Sequence, residues 1–389
     1  MRPLQILHVV GAMNRGGAET WLMHVLRAID RDRFHMDFLV HTDTPAAYDE
    51  EIVSLGSQVL SCLSPSRPWI YARNFARAVR HGLPYDVIHS HVHHYSGFIL
   101  RLAHRSHIPI RLAHSHNDTS EVDRCSGWAR RQYLHISQEW IRRYATTGVA
   151  CSAEAGSALF SPSRGTSLAW RTLPLGIDLA SFEAGSDRGQ LRSSLGIPTE
   201  AFVIGHVGRF MAQKNHHFLV DILLETVKRH PLTFVILVGD GPLRSSVERK
   251  IETLGLTKVV RFLGLRSDVP ELMLSAMDAL VLPSLHEGFP VVLLEAQAAG
   301  LPCVVSDVVT AEVDVVNQLV SRVALQNSPA VWADAILATR GRKTRHTQRA
   351  ALDTLWQSPY SIQHSVTELQ RLYTVLAERH VPSASRTYS

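Results

Sequence analysis

Lysine is scarce in this chain of 389 residues. Only five of its forty basic residues are lysine, and none precedes Lys214. A coding preference for arginine explains the scarcity, yet it also makes each lysine that does occur a candidate for a specific task. Cysteine is sparse too: Cys62, Cys125, Cys151 and Cys303 are widely scattered and form no CxxC. That excludes a zinc framework or a disulfide scaffold and fits free thiols in a reducing compartment. No stretch reaches the roughly 20 apolar residues that span a bilayer. The apolar run Leu4–Val10 is short, lacks a small-residue cleavage site and reads as a buried strand, not a signal peptide. Dense basic runs and RNA-binding aromatic patterns are missing, so nucleic acid is not an expected partner. Internal repeats and low-complexity segments are missing as well. With 45% hydrophobic and 19% charged residues, the chain reads as a cytoplasmic, enzyme-sized protein of two domains.

The formal charge is +5, and residues 1–180 carry nineteen arginines against fifteen acids. A mildly basic N-terminal half favours anionic substrates or an anionic membrane surface. The helix expected over Trp128–Tyr144, with Arg130, Arg131, Arg142 and Arg143, is the candidate peripheral contact at the inner face of the cell membrane; a solvated helix face is the plain alternative.

Short β-like runs alternate with amphipathic stretches, the pattern of parallel sheets covered by helices on both faces. Strands are expected at Leu4–Val10, Met36–His41, Val59–Leu63, Val87–His91, Ile110–His114 and Gly148–Ser152. The pattern restarts with Phe202–Val207, Thr233–Val238, Val259–Leu263, Ala279–Leu282 and Cys303–Val305. Leu179–Thr199, with its Gly, Ser and Pro, is the expected linker. Two doubly wound sheets joined there would face a cleft, with ligands at the carboxyl ends of the strands. Helices are expected at Val331–Thr339 and Ile362–Leu376, and Pro382–Ser389 reads as a frayed tail.

Five segments carry chemistry. In Pro283–Glu295 a strand ends, a loop carries Glu287, Gly288 and Phe289, and Pro290 suits the start of a helix that contains Glu295. A helix N-terminus cradles a diphosphate, and two carboxylates so placed can hold different hydroxyls of one extended ligand. The plain alternative is a helix cap at Glu287 and a surface glutamate at Glu295. In Gly205–Asn215 a glycine turn at Gly208 leads to Arg209 and Lys214, a planar fork and a point charge that together suit a diphosphate. Gly239, Asp240 and Gly241 follow a strand and would let a base or ribose approach the backbone. Asn14–Glu19, with Gly16 and Gly17, resembles a phosphate loop but fits neither GxGxxG nor GxxxxGK[ST], which counts against nicotinamide and P-loop readings. Fourteen of twenty-two histidines lie in residues 1–180. His89, His91, His93 and His94 end one strand and His114 and His116 end another. Histidines at alternate strand positions share a face and could hold a metal, but no acidic cluster accompanies them, so no metal is expected. Asp30-Arg31-Asp32 reads as turn chemistry.

With those segments in place, the chain resembles the group 1 glycosyltransferases of GT-B fold, from Leu4 to about Trp332. It looks most like the bacterial exopolysaccharide and capsular-polysaccharide members. Glu287 and Glu295 match that family's E-x7-E motif and are followed by Ala-Gln-Ala-Ala-Gly300-Leu-Pro302 as in the family. One departure lies at Leu173–Asp178, where Leu175 precedes Gly176 and many relatives have Asn. The resemblance implies an N-terminal acceptor-side Rossmann-like domain over 1–180 and a C-terminal nucleotide-sugar-binding one over 181–358. Residues 359–389 would supply a last helix that crosses back to the first domain, plus a tail. Glu287 would hold hydroxyls of the donor sugar and Glu295 the ribose. Arg209 and Lys214 would clamp the diphosphate, with Gly16 and Gly17 closing over it, and Gly208, Gly239, Asp240, Gly288, Phe289 and Pro290 would complete the donor site. His116 would lie near the donor sugar, with His91 and Asn117 on the acceptor side.

The resemblance further implies a retaining, metal-independent transferase with no cofactor. Its co-substrate would be a UDP- or GDP-linked sugar, and its acceptor a lipid-linked or growing polysaccharide. Two other readings remain: a nucleotide-sugar 2-epimerase of the same architecture, and a non-catalytic sugar-nucleotide-binding scaffold.

Overall fold

The computed structural model describes residues 2–117, 127–160 and 168–380. The chain divides into two units. One comprises Met1–Gly176 and the stretch that begins at Ile362; the other is Ile177–Ser361.

In the first unit, seven parallel strands form one sheet: β1 (Leu4–Val10), β2 (Phe34–Val40), β3 (Val59–Ser61), β4 (Val87–Ser90), β5 (Ile110–Ser115), β6 (Thr147–Ala150) and β7 (Trp170–Thr172), in the order β3-β2-β1-β4-β5-β6-β7. Strands buried on both faces need near-continuous apolar runs, which β1 (LQILHVV) and β2 (FHMDFLV) supply. The order reverses between β1 and β4, where an open α/β sheet leaves a crevice at its carboxyl edge. The helix Gly17–Ala28 turns Trp21, Leu22, Val25 and Leu26 inward, as their spacing requires. The long helix Ile362–His380 belongs to this unit through several bonds. Trp21 Nε1 donates to Ser365 Oγ at 2.9 Å, Ser365 Oγ donates to Pro174 O at 2.9 Å, and Asp30 N donates to Gln370 Oε1 at 3.2 Å.

The second unit repeats the plan with six parallel strands. These are β8 (Phe202–Val207), β9 (Thr233–Val238), β10 (Val260–Gly264), β11 (Ala279–Leu282), β12 (Cys303–Ser306) and β13 (Val320–Val323), in the order β10-β9-β8-β11-β12-β13. Its switch point lies between β8 and β11. The core gathers Ile204, Leu219, Leu223, Val235, Leu237, Val281 and Trp332, all nearly inaccessible.

Every expected strand forms, with ends shifted by one or two residues, but two edge strands escaped the pattern. Trp170–Thr172 and Val320–Val323 are three and four residues long and lie at sheet edges, too short to show an alternation. The helix Arg345–Trp356 was also missed. The linker expected over Leu179–Thr199 needs correction. Asp178 caps a 3-10 turn at Leu179–Phe182 and Asp187 caps a helix at Arg188–Ser194. From that helix Arg192 is fully buried, donating to Ala276 O, Thr199 O, Ala201 O and Asp278 Oδ2 at 2.7–3.0 Å. Gly, Ser and Pro mark turns equally well inside a folded unit. The tail Pro382–Ser389 lies outside the described residues. Among the described residues no helix is long and apolar enough to cross a membrane.

Candidate active site

At the switch point of the second unit, the loops after β8 and β11 meet. Lys214 Nζ lies 2.6 Å from Glu287 Oε1, and the Glu287 side chain is only 6% exposed. Gln213 ties the loops again: its Nε2 donates to His286 O at 3.0 Å and to Glu287 Oε2 at 3.3 Å, while Leu285 N donates to Gln213 O at 2.8 Å. Two cross-loop contacts therefore fix the Glu287 carboxylate before any ligand arrives. Arg209, five residues before Lys214, is exposed, and its guanidinium has no hydrogen-bond partner among the described residues.

Glycine at Gly239 is required by geometry. Its φ is +132° and a Cβ there would stand 2.1 Å from Gly208 O; at Gly241 (φ +156°) a Cβ would stand 2.7 Å from Phe210 O. The β8 and β9 loops close on one another through Gly208 N to Val238 O and Phe210 N to Asp240 O, at 2.9 and 3.0 Å. These two glycines thus serve the approach of one loop backbone to another. Asp240 is exposed and accepts from Gly241 N at 2.7 Å. Beneath the loop, the buried ring of His216 stacks on Phe210 at 4.1 Å and meets His206 edge-on at 4.7 Å. Burial pushes His206 down to about 4 and His216 to about 2, so both are neutral.

After β11, Pro290 stands at the N-cap of the helix Val291–Ala298, one position earlier than expected. Two of that helix's leading amides are already used, Val291 N to Phe289 O and Leu293 N to Pro290 O, which leaves fewer free donors for a diphosphate than a bare N-terminus has. Phe289 is buried, with its ring 5.3 Å from that of Tyr360, and Gly288 lies in the loop before it. Glu295 is half-buried on this helix, and its carboxyl has no hydrogen-bond partner among the described residues. Desolvation pushes its carboxyl up to about 7. A carboxylate left in that state gains from hydroxyl donors.

The first unit's switch point carries a different chemistry. Gly16 is the N-cap of the helix Gly17–Ala28, and the loop before it is held by Ala47 N donating to Asn14 Oδ1 at 3.3 Å. Registers place His8 beside His89, and continuing the β4–β5 register sets His91 beside His114. Five imidazoles consequently crowd one face. His8 Nδ1 and His91 Nε2 share a hydrogen bond of 2.9 Å, and His91 Nδ1 and His116 Nε2 share one of 2.8 Å. A neutral imidazole has one N–H, so both bonds along this row must run in the same direction. His89 Nδ1 shares a 2.7 Å bond with Tyr373 OH, and Trp21 meets His114 edge-on at 5.5 Å. Burial lowers His8 and His116 to about 3 and His89, His91 and His114 well below the usual range. Asn117 is exposed beside them, and Asp118 lies outside the described residues. The expected turn at Asp30–Asp32 is present, Asp32 N donating to Asp30 Oδ1 at 3.1 Å.

Three contributors were not foreseen. His8, one of two polar residues in the otherwise apolar β1, is a visible signal. Gln213 and Tyr373 carry none in sequence, because their partners lie 74 and 284 residues away.

Comparison with known proteins shows the family. Residues 187–346 match the family Glycosyl transferases group 1, and residues 16–171 match the Glycosyl transferase 4-like domain. The glycosyltransferase EpsF of Bacillus subtilis is 37% identical over 380 residues, covering 96% of this chain and 97% of that protein. An Escherichia coli UDP-Gal:alpha-D-GlcNAc-diphosphoundecaprenol alpha-1,3-galactosyltransferase is 30% identical over 58% of each chain. Among solved structures, Anabaena HepE in complex with UDP and glucose superposes with a TM-score of 0.78 at 22% identity, over 96% of this chain and 100% of that one. It shares the GT-B fold of two Rossmann-like, doubly wound parallel-sheet domains. With near full-length similarity to one member and both halves matched, the chain belongs to the group 1 glycosyltransferases.

Proposed function

We propose that this glycosyltransferase moves a sugar from a nucleotide-sugar donor to a lipid-linked or growing polysaccharide acceptor, with retention of anomeric configuration and without a metal. The observation that carries the reading is the Lys214–Glu287 pair at 2.6 Å, its lysine in the loop that also carries the exposed Arg209. A fixed carboxylate paired with one cation, whose loop carries a second, suits a ligand with hydroxyls at one end and a diphosphate at the other. Arg209 and Lys214 neutralise the departing nucleoside diphosphate, the task a divalent ion performs elsewhere. Glu287 holds hydroxyls of the donor sugar and Glu295 the ribose. Gly208, Gly239, Asp240, Gly288, Phe289 and Pro290 shape the donor site. His116 faces the donor sugar, with His91 and Asn117 toward the acceptor. The co-substrate is a UDP- or GDP-linked sugar, and no cofactor takes part. UDP has the better support, since the Escherichia coli relative uses UDP-Gal and the Anabaena neighbour holds UDP and glucose. A lipid-diphosphate acceptor is supported by that same relative.

The reaction belongs on the cytoplasmic side of a membrane, where such acceptors are anchored. On the helix Trp128–Tyr144, Trp128 is 72% exposed and Tyr133 and Ile136 are exposed as well, with Arg130, Arg131 and Arg143 nearby. Aromatic and basic side chains so placed suit peripheral association with anionic lipid.

A nucleotide-sugar panel tests the reading. The protein is incubated with each donor, with and without a diphospholipid-linked sugar, and free nucleoside diphosphate is measured. Acceptor-dependent release that persists in excess chelator, with an α-linked product from an α-linked donor, is expected. Isomerised donor would assign the epimerase, and binding without turnover the scaffold. Failure to bind vesicles of anionic lipid at low salt would remove the membrane contact.

A further inference from the structure

The row of histidines in the first unit is more than the acceptor-side reading needs. Two triads, His8–His89–His91 and His91–His114–His116, each bring one ring nitrogen per residue within 4.8 Å of one another. Tetrahedral Zn²⁺ with Zn–N bonds of about 2.0–2.1 Å sets its ligand nitrogens roughly 3.4 Å apart, so small inward turns of the rings would close either triad. The two triads differ in what their nitrogens already do. In the inner one, Nε2 of His8 and Nε2 of His89 are unpartnered among the described residues, but Nδ1 of His89 is engaged by Tyr373 OH and Nδ1 of His8 by His91. In the outer one, both nitrogens of the fully buried His114 and Nδ1 of His116 have no hydrogen-bond partner among the described residues, and the ion would replace the 2.8 Å bond between His91 Nδ1 and His116 Nε2. An unsatisfied buried imidazole is costly, and coordination is one way to satisfy it. His91 also has the support a ligand needs: with Nδ1 toward the triad, its Nε2–H donates to His8 Nδ1 at 2.9 Å and fixes the ring. His91 and His116 are half-exposed, which gives an entry path.

We propose that His91, His114 and His116 form a site for one divalent transition-metal ion of borderline softness, Zn²⁺ foremost, with the fourth position open. Three imidazoles without a carboxylate suit Zn²⁺, Co²⁺, Ni²⁺ or Cu²⁺ and offer nothing to the oxygen-seeking Mg²⁺ or Ca²⁺. The ion is therefore distinct from one that would serve a diphosphate. One consequence rests on the transfer reading above. An ion held there takes the nitrogens that would face sugar and acceptor, so Zn²⁺ inhibits transfer and a chelator restores it.

Binding is tested without substrate, so its outcome does not depend on the transfer reading. Tag-free full-length protein is dialysed against Co²⁺ or Zn²⁺, and bound metal per chain and the Co²⁺ visible spectrum are measured. The expected result is one ion per chain with the intense bands of four-coordinate Co²⁺. His114→Leu removes a side chain that makes no hydrogen bond, and His116→Asn alters a half-exposed one, so at least one variant should keep the wild-type circular dichroism and melting profile. Each should weaken binding by more than the roughly 10–100-fold that loss of an outer-shell partner costs. His135→Asn, at an exposed position, should change nothing. No retained ion, unchanged binding in a folded His114 or His116 variant, or loss on His89→Phe but not on His114→Leu would each overturn the assignment.

Discussion

The carboxyl edges of the two sheets occupy the same place in nearly the same topology, yet they handle buried polarity in opposite ways. In the first unit the polar groups are imidazoles, kept neutral by burial and joined to one another and to Tyr373. In the second the polar group fixed there is a charge pair, Lys214 with Glu287, and at the opposite edge of that sheet, ahead of β8 and β11, Arg192 and Arg188 meet Asp278 at 2.7 Å each. A neutral row loses little when one link is cut, because no charge is left behind. A matched set of charges loses much, because the survivor stays buried without its counterion. The same contrast separates their chemistry. Fixed charges suit a diphosphate and its departing charge, whereas neutral nitrogens suit hydroxyls or a soft cation.

The largest effect is expected where the matched charges are deepest. Arg192→Met should lower stability by about 2–4 kcal/mol in urea unfolding, since it leaves the buried Ala276 and Ala201 carbonyl oxygens without their donors and takes one of two arginines from Asp278. A loss under about 1 kcal/mol, the scale of an exposed ion pair, would erase the contrast.

Glu287→Gln comes next. Its carboxylate meets a sugar whose bonding changes during transfer, so kcat should fall on the order of 10²–10³-fold with the fold intact. Glu295→Gln should act differently, because the ribose does not change in the reaction. Donor KM should rise by about tenfold, the equivalent of one hydrogen bond, and kcat should be largely kept. The two variants behaving alike would refute the division of labour. Glu295 also gives a pH signature. Its free carboxyl titrates at about 7, and the deprotonated form accepts hydroxyl donors, so donor affinity is present above that pH and falls as pH drops below it. Donor KM measured from pH 8 to pH 5.5 should climb in the native protein and stay flat in Glu295→Gln.

The smallest effect is expected in the neutral row. Tyr373→Phe removes only the hydroxyl bound to His89 and should cost about 1 kcal/mol by thermal or urea unfolding. A cost matching Arg192→Met would mean that the histidine row is held as tightly as the charges.

Much of this was determined by the sequence alone. Local periodicity fixed the strands of both sheets except the short edge strands β7 and β13, because a strand buried on both faces must be apolar along its length wherever it lies. Motif spacing likewise placed Glu287 in a loop and Glu295 inside a helix, as one turn of chain dictates. The tertiary structure decided what depends on partners far away in the chain. Gln213 reaches Glu287 across 74 residues, and Tyr373 reaches His89 across 284, distances at which no local pattern survives. It also turned the expected linker into a capped helix, since only the fold supplies the carbonyls and the carboxylate that let Arg192 be buried. The five histidines show the division most clearly. Alternation put His89 with His91 and His114 with His116, but only the register of three strands set His8 beside His89 and made one row of them.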